Sequence, residues 1–242
     1  MKEPLPRTLD GKVAVLTGVS RPGQVGEFVA RYLAERGASL ALIDRTGVDA
    51  EARASELRGS GLSARAFQAD LTDAVQLDLV ARSLSQEFGG VDALVNIAGG
   101  FSLSGKVSDS DPGAWSRQLG IGLTTAYLTT RAMLPLVRQR RGSIVFFASA
   151  SALPGGRVAE MSAYAVSKAG VITLMRAVAQ EERGNGVRSN ALAPTSIRTA
   201  TNVESMGPDV RYVEREEVAS AVDFLCFSPA SRAITGQVIQ LG

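Results

Sequence analysis

Val13-Ala14-Val15-Leu16-Thr17-Gly18-Val19-Ser20-Arg21-Pro22-Gly23-Gln24-Val25-Gly26 runs from an unbroken apolar stretch into a glycine-rich turn. Its first five residues read as a buried strand, because a short continuous apolar run ended by turn residues suits a strand covered on both faces. A helical pattern follows from Gly26 to Arg36, with Phe28, Val29, Tyr32 and Leu33 on one side and Gly37 as its stop. Strand, glycine turn and helix in that order make a cradle for the pyrophosphate of a dinucleotide. The glycines let the backbone approach, and the helix N-terminus faces the negative charge. The same residues also suit an ordinary flexible turn, so the rest of the chain has to decide.

Outward from this unit the pattern repeats. Ser39 to Ile43 is a second strand ending at Asp44, and a polar helix runs from Val48 to Arg58. Ser63 to Gln68 is a third strand, ending at Asp70. Thr72 or Asp73 caps the next helix, which Gly89-Gly90 breaks after Phe88. Val91 to Asn96 is a fourth strand. Asp111-Pro112 is an N-cap with proline at the first helical position, opening a long helix to about Arg140 in which Pro135 is expected to cause a kink. Strands at Ser143 to Phe147, Val187 to Ala191 and Gln237 to Leu241 follow, with helices at Tyr164 and at Arg215 to Phe227. Pro194 to Tyr212 reads as a long irregular loop. Strands alternating with helices predict an α/β, doubly wound Rossmann fold: a seven-stranded parallel sheet with helices on both faces. No linker or internal repeat divides the chain, so residues 1–242 are expected to form a single dinucleotide-binding domain.

Composition narrows the function. The 242 residues carry a net charge of +2 with both signs interspersed, so no basic stripe points to nucleic acid. There is no histidine, which excludes histidine-based metal sites and Ser-His triads, and no metal is expected. The single cysteine, Cys226, lies in an apolar run and is expected to be a buried thiol. No apolar run reaches the ~20 residues of a membrane span, and Met1 to Asp10 lacks the apolar core of a signal peptide. A cytoplasmic setting without membrane contact is the expectation.

The chemistry concentrates in Ser162-Ala163-Tyr164-Ala165-Val166-Ser167-Lys168. On a helix Tyr164 and Lys168 lie one turn apart on one face. A free phenol, with a pKa of roughly 10, is a poor base at neutral pH; a neighbouring ammonium favours the phenolate. The pair is then a tuned proton donor and acceptor. The spacing also occurs on solvated helices of no particular role. Asp44, at the end of the second strand, suits the ribose hydroxyls of NAD and opposes the 2′-phosphate of NADP, whereas Arg45 suits that phosphate. NAD is expected, with NADP the weaker alternative.

With these residues in place, the chain resembles the short-chain dehydrogenase/reductase family over essentially its whole length. Thr17 to Gly26 is similar to the family's glycine turn, Asp70-Leu71 to its adenine-contacting pair, and Asn96-Ile97-Ala98-Gly99 to its Asn-Asn-Ala-Gly strand end. Gly142 to Ser149 is similar to its serine strand, and Tyr164 with Lys168 matches its Tyr-x-x-x-Lys. Asn190 to Pro194, with Ile197 and Thr199, is similar to its nicotinamide loop, and Ile234 to Gln237 to its final strand entry. The resemblance implies hydride transfer between a nicotinamide and a secondary alcohol or ketone at a Ser149, Tyr164, Lys168 site. Tyr164 exchanges the proton, Lys168 lowers its pKa and holds the nicotinamide ribose, and Ser149 orients the substrate oxygen. It implies cofactor contacts at Gly18, Ser20, Gly23, Val25, Asp44, Asp70, Leu71, Asn96, Ala98, Gly99, Tyr164, Lys168, Pro194, Ile197 and Thr199.

Departures from the family pattern matter. The glycine turn is two residues longer than Thr-Gly-x-x-x-Gly-x-Gly, so Gln24 falls on the middle glycine and Gly23 is expected to act in its place. Gly122 stands where the family has an asparagine associated with a water-linked proton relay. Gly120 and Gly122 each cost about 1 kcal/mol in a helix, which predicts an irregularity there. Pro194-Thr195 replaces Pro-Gly, and the loop after Ser149 is enlarged at Pro154-Gly155-Gly156-Arg157. The short segment from Thr199 to Arg215 resembles that of the dihydropteridine-reductase-like branch and leaves an open pocket, with Gly100, Phe101, Ser151, Arg157, Met161, Met206 and Tyr212 as candidate lining. Arg157 is the cation expected for any acidic substrate.

The competing readings are a 3-oxoacyl-carrier-protein-type reductase, which Asp44 opposes, a non-catalytic dinucleotide sensor or scaffold, which Gly122 and the altered turn favour, and pteridine reduction, suggested by the short loop. The resemblance implies a homodimer or homotetramer, with Leu123, Ala126, Tyr127, Val171, Leu174 and Ala179 as apolar contact residues. From an end at Gly242, no tail is expected to reach a neighbouring pocket.

Overall fold

The computed structural model describes residues 6–19 and 21–242. Among them, seven strands form one parallel sheet: β1 (Val13–Thr17), β2 (Ser39–Asp44), β3 (Ala64–Gln68), β4 (Ala93–Asn96), β5 (Ser143–Phe147), β6 (Arg188–Pro194) and β7 (Val238–Leu241). Their order is β3-β2-β1-β4-β5-β6-β7. The α-helices are α1 (Val25–Glu35), α2 (Gly47–Gly59), α3 (Ala74–Phe88), α4 (Pro112–Leu119), α5 (Thr125–Arg140), α6 (Ser162–Glu181), α7 (Ala200–Met206) and α8 (Arg215–Phe227). This is the predicted doubly wound α/β fold.

Strand residues alternate between two cores. Leu16, Leu40, Leu42, Val95 and Val145 pack with Val29 and Leu33 of α1 and with Val218, Val222 and Leu225 of α8. Val15, Ile43, Leu94, Ile144 and Phe146 face the other way, against Leu77 and Leu84 of α3, Met133 and Val137 of α5, and Val171 and Met175 of α6. Both faces are covered, which is why the strands read as continuous apolar runs. β1 pairs with β2 on one side and β4 on the other. The chain therefore reverses its progress across the sheet at β1, and a crevice opens at the C-terminal ends of β1 and β4, where such folds bind ligands. At the opposite edge, cations meet helix C-termini: Arg188 donates to the Leu225 and Cys226 carbonyls at the end of α8, and Arg140 to the Phe88 carbonyl at the end of α3. Cys226 is buried there, as expected.

Asp73 caps α3, accepting from the Val75 and Gln76 amides, and Asp111 caps α4 through the Gly113 and Ala114 amides. The long helix expected from Pro112 to Arg140 is interrupted by a π-turn over Gly120–Thr124. The break thus starts at Gly120 and includes Gly122, because glycine loses the most conformational freedom in a regular helix and so holds that geometry least well; Pro135 lies inside α5, which continues past it. The segment after Pro194 is more ordered than expected, since it contains α7. Thr199 caps this helix through the Asn202 amide, and Gly207, with φ 86°, ends it. A helix of seven residues is too short to display a period in sequence, so its cap and stop were its visible signals.

Candidate active site

Three hydroxyl and amine groups converge at the C-terminal end of β5. The turn of α6 brings the Lys168 ammonium to 5.9 Å from the centre of the Tyr164 ring. Ser149, just beyond β5, faces the Tyr164 phenol closely enough to oppose the upward shift that burial gives it. Ser149 is also the cap of a short helical turn, Ala150–Ala152. Its Oγ accepts from the Ser151 amide at 3.3 Å and from the Ser151 hydroxyl at 3.0 Å. Phe101 meets the Tyr164 ring edge-on, with centroids 5.1 Å apart.

Burial governs both titrating groups. Lys168 is buried, and desolvation lowers its pKa from 10.5 to about 8. Its Nζ donates to the Phe147 carbonyl at 2.7 Å. Desolvation raises the Tyr164 phenol, and the Ser149 hydroxyl opposes that rise. The downward pull expected from Lys168 does not dominate here, because its head is turned to a backbone carbonyl at the flank of the ring. Gly99 packs close by: a Cβ there would lie 3.3 Å from Nζ.

The glycine turn is clamped against the end of β4. Thr17 Oγ1 accepts from the Ile97 and Ala98 amides, each at 3.2 Å. Gly18 has φ 70°, and a Cβ on it would lie 2.7 Å from Ala98 Cα. A Cβ on Gly26 would lie 2.2 Å from the Gly18 carbonyl oxygen. Both positions therefore require glycine for close backbone approach. α1 starts at Val25, and its cap residue Gln24 makes no side-chain cap bond, so the helix presents uncapped amides. Asp44, at the end of β2, is partly exposed, and its Oδ1 has the Thr46 amide at 3.4 Å. A glycine cradle, an uncapped helix N-terminus and a carboxylate beyond β2 fit the pyrophosphate and ribose of a dinucleotide.

The other expected contacts are distributed around this crevice. Asp70 accepts from the Thr72 amide and hydroxyl at 2.8 and 2.6 Å, and these bonds, with Arg45 nearby, hold its carboxyl below the usual range. Leu71 is buried beside it. Asn96 donates to Thr130 Oγ1 at 3.0 Å, tying β4 to α5. Pro194 ends β6, Ile197 bridges to Val213, and Thr199 caps α7. Ser20 lies outside the described residues.

The expected role of Gly23 is corrected. Gly23 does not present a free amide, since the Glu27 carboxylate takes it, and Glu27 is in turn paired with buried Arg53 at 2.9 Å. Gly23 instead faces α7: its carbonyl accepts from the Ala200 amide at 3.2 Å. Gln24 Nε2 donates to Thr201 Oγ1 at 3.0 Å. The lengthened turn therefore reaches α7, a contact that no local pattern announces. Tyr212 is buried, and its hydroxyl donates to the Gly207 and Asn202 carbonyls, which holds the segment around α7 together. Arg157 is exposed. Ser151 lines a cavity of about 880 Å³ with Leu153, Pro154, Val158 and Val166. Gly122 is buried against α6, where a Cβ would lie 2.6 Å from Ser167 Oγ. Of the expected contact residues, Ala126, Val171 and Ala179 are buried within the chain, Leu123 and Leu174 are half-buried, and Tyr127 is exposed. Among the described residues no helix is long and apolar enough to cross a membrane, and no acidic or cysteine cluster suits a metal.

A family model described as enoyl-(acyl carrier protein) reductase matches residues 18–241. Galactitol 2-dehydrogenase of Rhizobium johnstonii is 35% identical over 96% of this chain and 94% of its own. D-threitol dehydrogenase of Mycolicibacterium smegmatis is 32% identical, covering 94% of this chain and 90% of its own. The crystal structure of gox2181 superposes with a TM-score of 0.88 at 31% identity, over 96% of this chain and 95% of that one.

Proposed function

The chain belongs to the short-chain dehydrogenase/reductase family, and from that premise we propose that Ser149, Tyr164 and Lys168 are its catalytic residues. The protein is an oxidoreductase of that family, using NAD(P) to interconvert secondary alcohols and ketones. The observation that supports this assignment of residues is the convergence of Ser149 on the Tyr164 phenol, with the Lys168 ammonium 5.9 Å from the ring, at the C-terminal end of β5.

Bound NAD(P) supplies or accepts the hydride. In reduction Tyr164 gives its proton to the substrate oxygen; in oxidation its phenolate takes the hydroxyl proton. Ser149 donates to the same oxygen and fixes its position. Lys168 stabilises the phenolate while charged, and burial places its own titration at about 8. Gly18, Val25 and Gly26 hold the pyrophosphate, Asp44 the adenosine ribose, and Asp70 and Leu71 the adenine. Asn96, Ala98 and Gly99 line the crevice, with Pro194, Ile197 and Thr199 on the nicotinamide side.

The preferred cofactor is NAD. Asp44 opposes a 2′-phosphate, and Arg45 lies near enough to Asp70 to pull down its carboxyl, which draws the guanidinium's charge toward an acid. The chain acts as one dinucleotide-binding domain, in the cytoplasm, as a homodimer or homotetramer. The relatives' polyols head the list of substrates to try.

The test is a panel of ketones and polyols with NADH, NADPH and their oxidised forms, followed by absorbance of the reduced cofactor. Turnover is expected, and Tyr164→Phe is expected to lower it about 10²–10⁴-fold while leaving cofactor binding intact. Cofactor binding without turnover across the panel would replace this reading by the sensor.

A further inference from the structure

We propose that Ser151 is a positioning residue, which occupies the lone pairs of Ser149 Oγ so that the Ser149 proton is directed to Tyr164 and the substrate oxygen. The proposal rests on the assignment of Ser149 and Tyr164 as catalytic, and adds a residue to it. A serine hydroxyl has one proton to donate and two lone pairs to accept with. Ser151 fills both acceptor directions, with its amide at 3.3 Å and its hydroxyl at 3.0 Å. The Ser149 proton is then left to point outward, to the side on which the Tyr164 phenol lies.

The two bonds have different origins. The amide bond belongs to the helical turn Ala150–Ala152, which is closed by the Ala152 amide on the Ser149 carbonyl at 3.0 Å. Any residue at 151 keeps it. The hydroxyl bond exists only because residue 151 is serine. Without it, Ser149 Oγ regains a free lone pair and its proton is no longer committed to the substrate side. An unconstrained hydroxyl also stabilises the Tyr164 phenolate less well, because a donor must be aimed before it is worth its full electrostatic contribution. Ser149 is buried to 9% exposure, so water competes poorly for the vacated site.

The variants are Ser151→Ala and Ser151→Thr. Ser151→Ala is expected to lower kcat about tenfold with KM changed less than about twofold, since the loss falls on a transition-state donor. Its Tyr164 phenol, followed by ultraviolet absorbance as the difference from the matching Tyr164→Phe protein, is expected to titrate at higher pH. Lys168 is the charged group against the Tyr164 ring and is common to all variants, so that shift reports on Ser149. Ser151→Thr retains the hydroxyl and is expected to restore most of the rate and the wild-type titration. Wild-type kcat and phenol titration in Ser151→Ala would overturn the proposal, as would a Thr variant as impaired as Ala. If the wild type turns over no substrate, the catalytic assignment fails separately, and the phenol titration still decides the role of Ser151.

Discussion

Lys168→Met is expected to change the pH dependence of stability more than its size at neutral pH. Lys168 is buried, and its pKa falls from 10.5 to about 8 through desolvation. The unfolded chain keeps an ordinary lysine, near about 10.4. Between those values the unfolded state binds a proton that the folded state has released, so stability rises with pH across the window. Below about 8 both states are protonated and the cost of the buried charge is fully present. At about 1.4 kcal/mol per pH unit, that cost is about 3 kcal/mol, of which roughly 1 kcal/mol is recovered between pH 8 and 9. Methionine removes the charge, and it also leaves the Phe147 carbonyl without its partner, at about 1–3 kcal/mol. The variant is therefore expected to equal or slightly exceed the wild type at pH 7 and to fall below it above pH 10. Two groups act the other way. Burial pushes the Cys226 thiol from 9.0 up to about 12 and also raises Tyr164, so both contribute stability that is lost as pH climbs past their unfolded values. Cys226 is common to both proteins and cancels in the difference, and the part of the Tyr164 shift that comes from burial cancels with it. Urea unfolding at steps from pH 7 to 10.5, at fixed ionic strength, measures that difference. A wild-type minus variant stability that stays flat from pH 7 to 10 would refute the reasoning.

Asp44→Ala is expected to weaken NADH binding about tenfold and to leave NADPH binding unchanged or improved, read by fluorescence titration of each cofactor. Gly122→Asn pushes a Cβ to within 2.6 Å of Ser167 Oγ, and overpacking of about 2 kcal/mol is expected to lower Tm by roughly 4–8 °C for a chain of this size. Gln24→Ala and Thr201→Val should each quicken protease cleavage within α7, and the double variant should add little to either, because both remove the same bond. Additive effects would show that the two side chains act apart.

Much of the architecture is legible in the chain because its signals are local. β1 and β5 are found at their predicted limits, since each is an apolar run with a sharp polar edge. The caps at Asp73 and Asp111 sit where short acceptor side chains precede helical patterns. The glycine pair predicted to disturb a helix does so, as the π-turn at Gly120–Thr124. The site residues are legible for a different reason: Tyr164 and Lys168 are related by one helical turn, and Ser149 stands at a strand end.

What the tertiary structure alone decides are the relations between distant segments. Neighbouring strands are set by crossovers, so nothing in β1 itself says that β4 will lie beside it. The bond from Gln24 to Thr201 joins residues far apart in the chain, and the direction of the Lys168 head depends on the Phe147 carbonyl of another element. Turn and strand preferences follow from each residue's own backbone and near neighbours. Desolvation, side-chain aim and the partner of a buried polar group depend on which elements pack together, and that is settled only when the two cores close on the sheet.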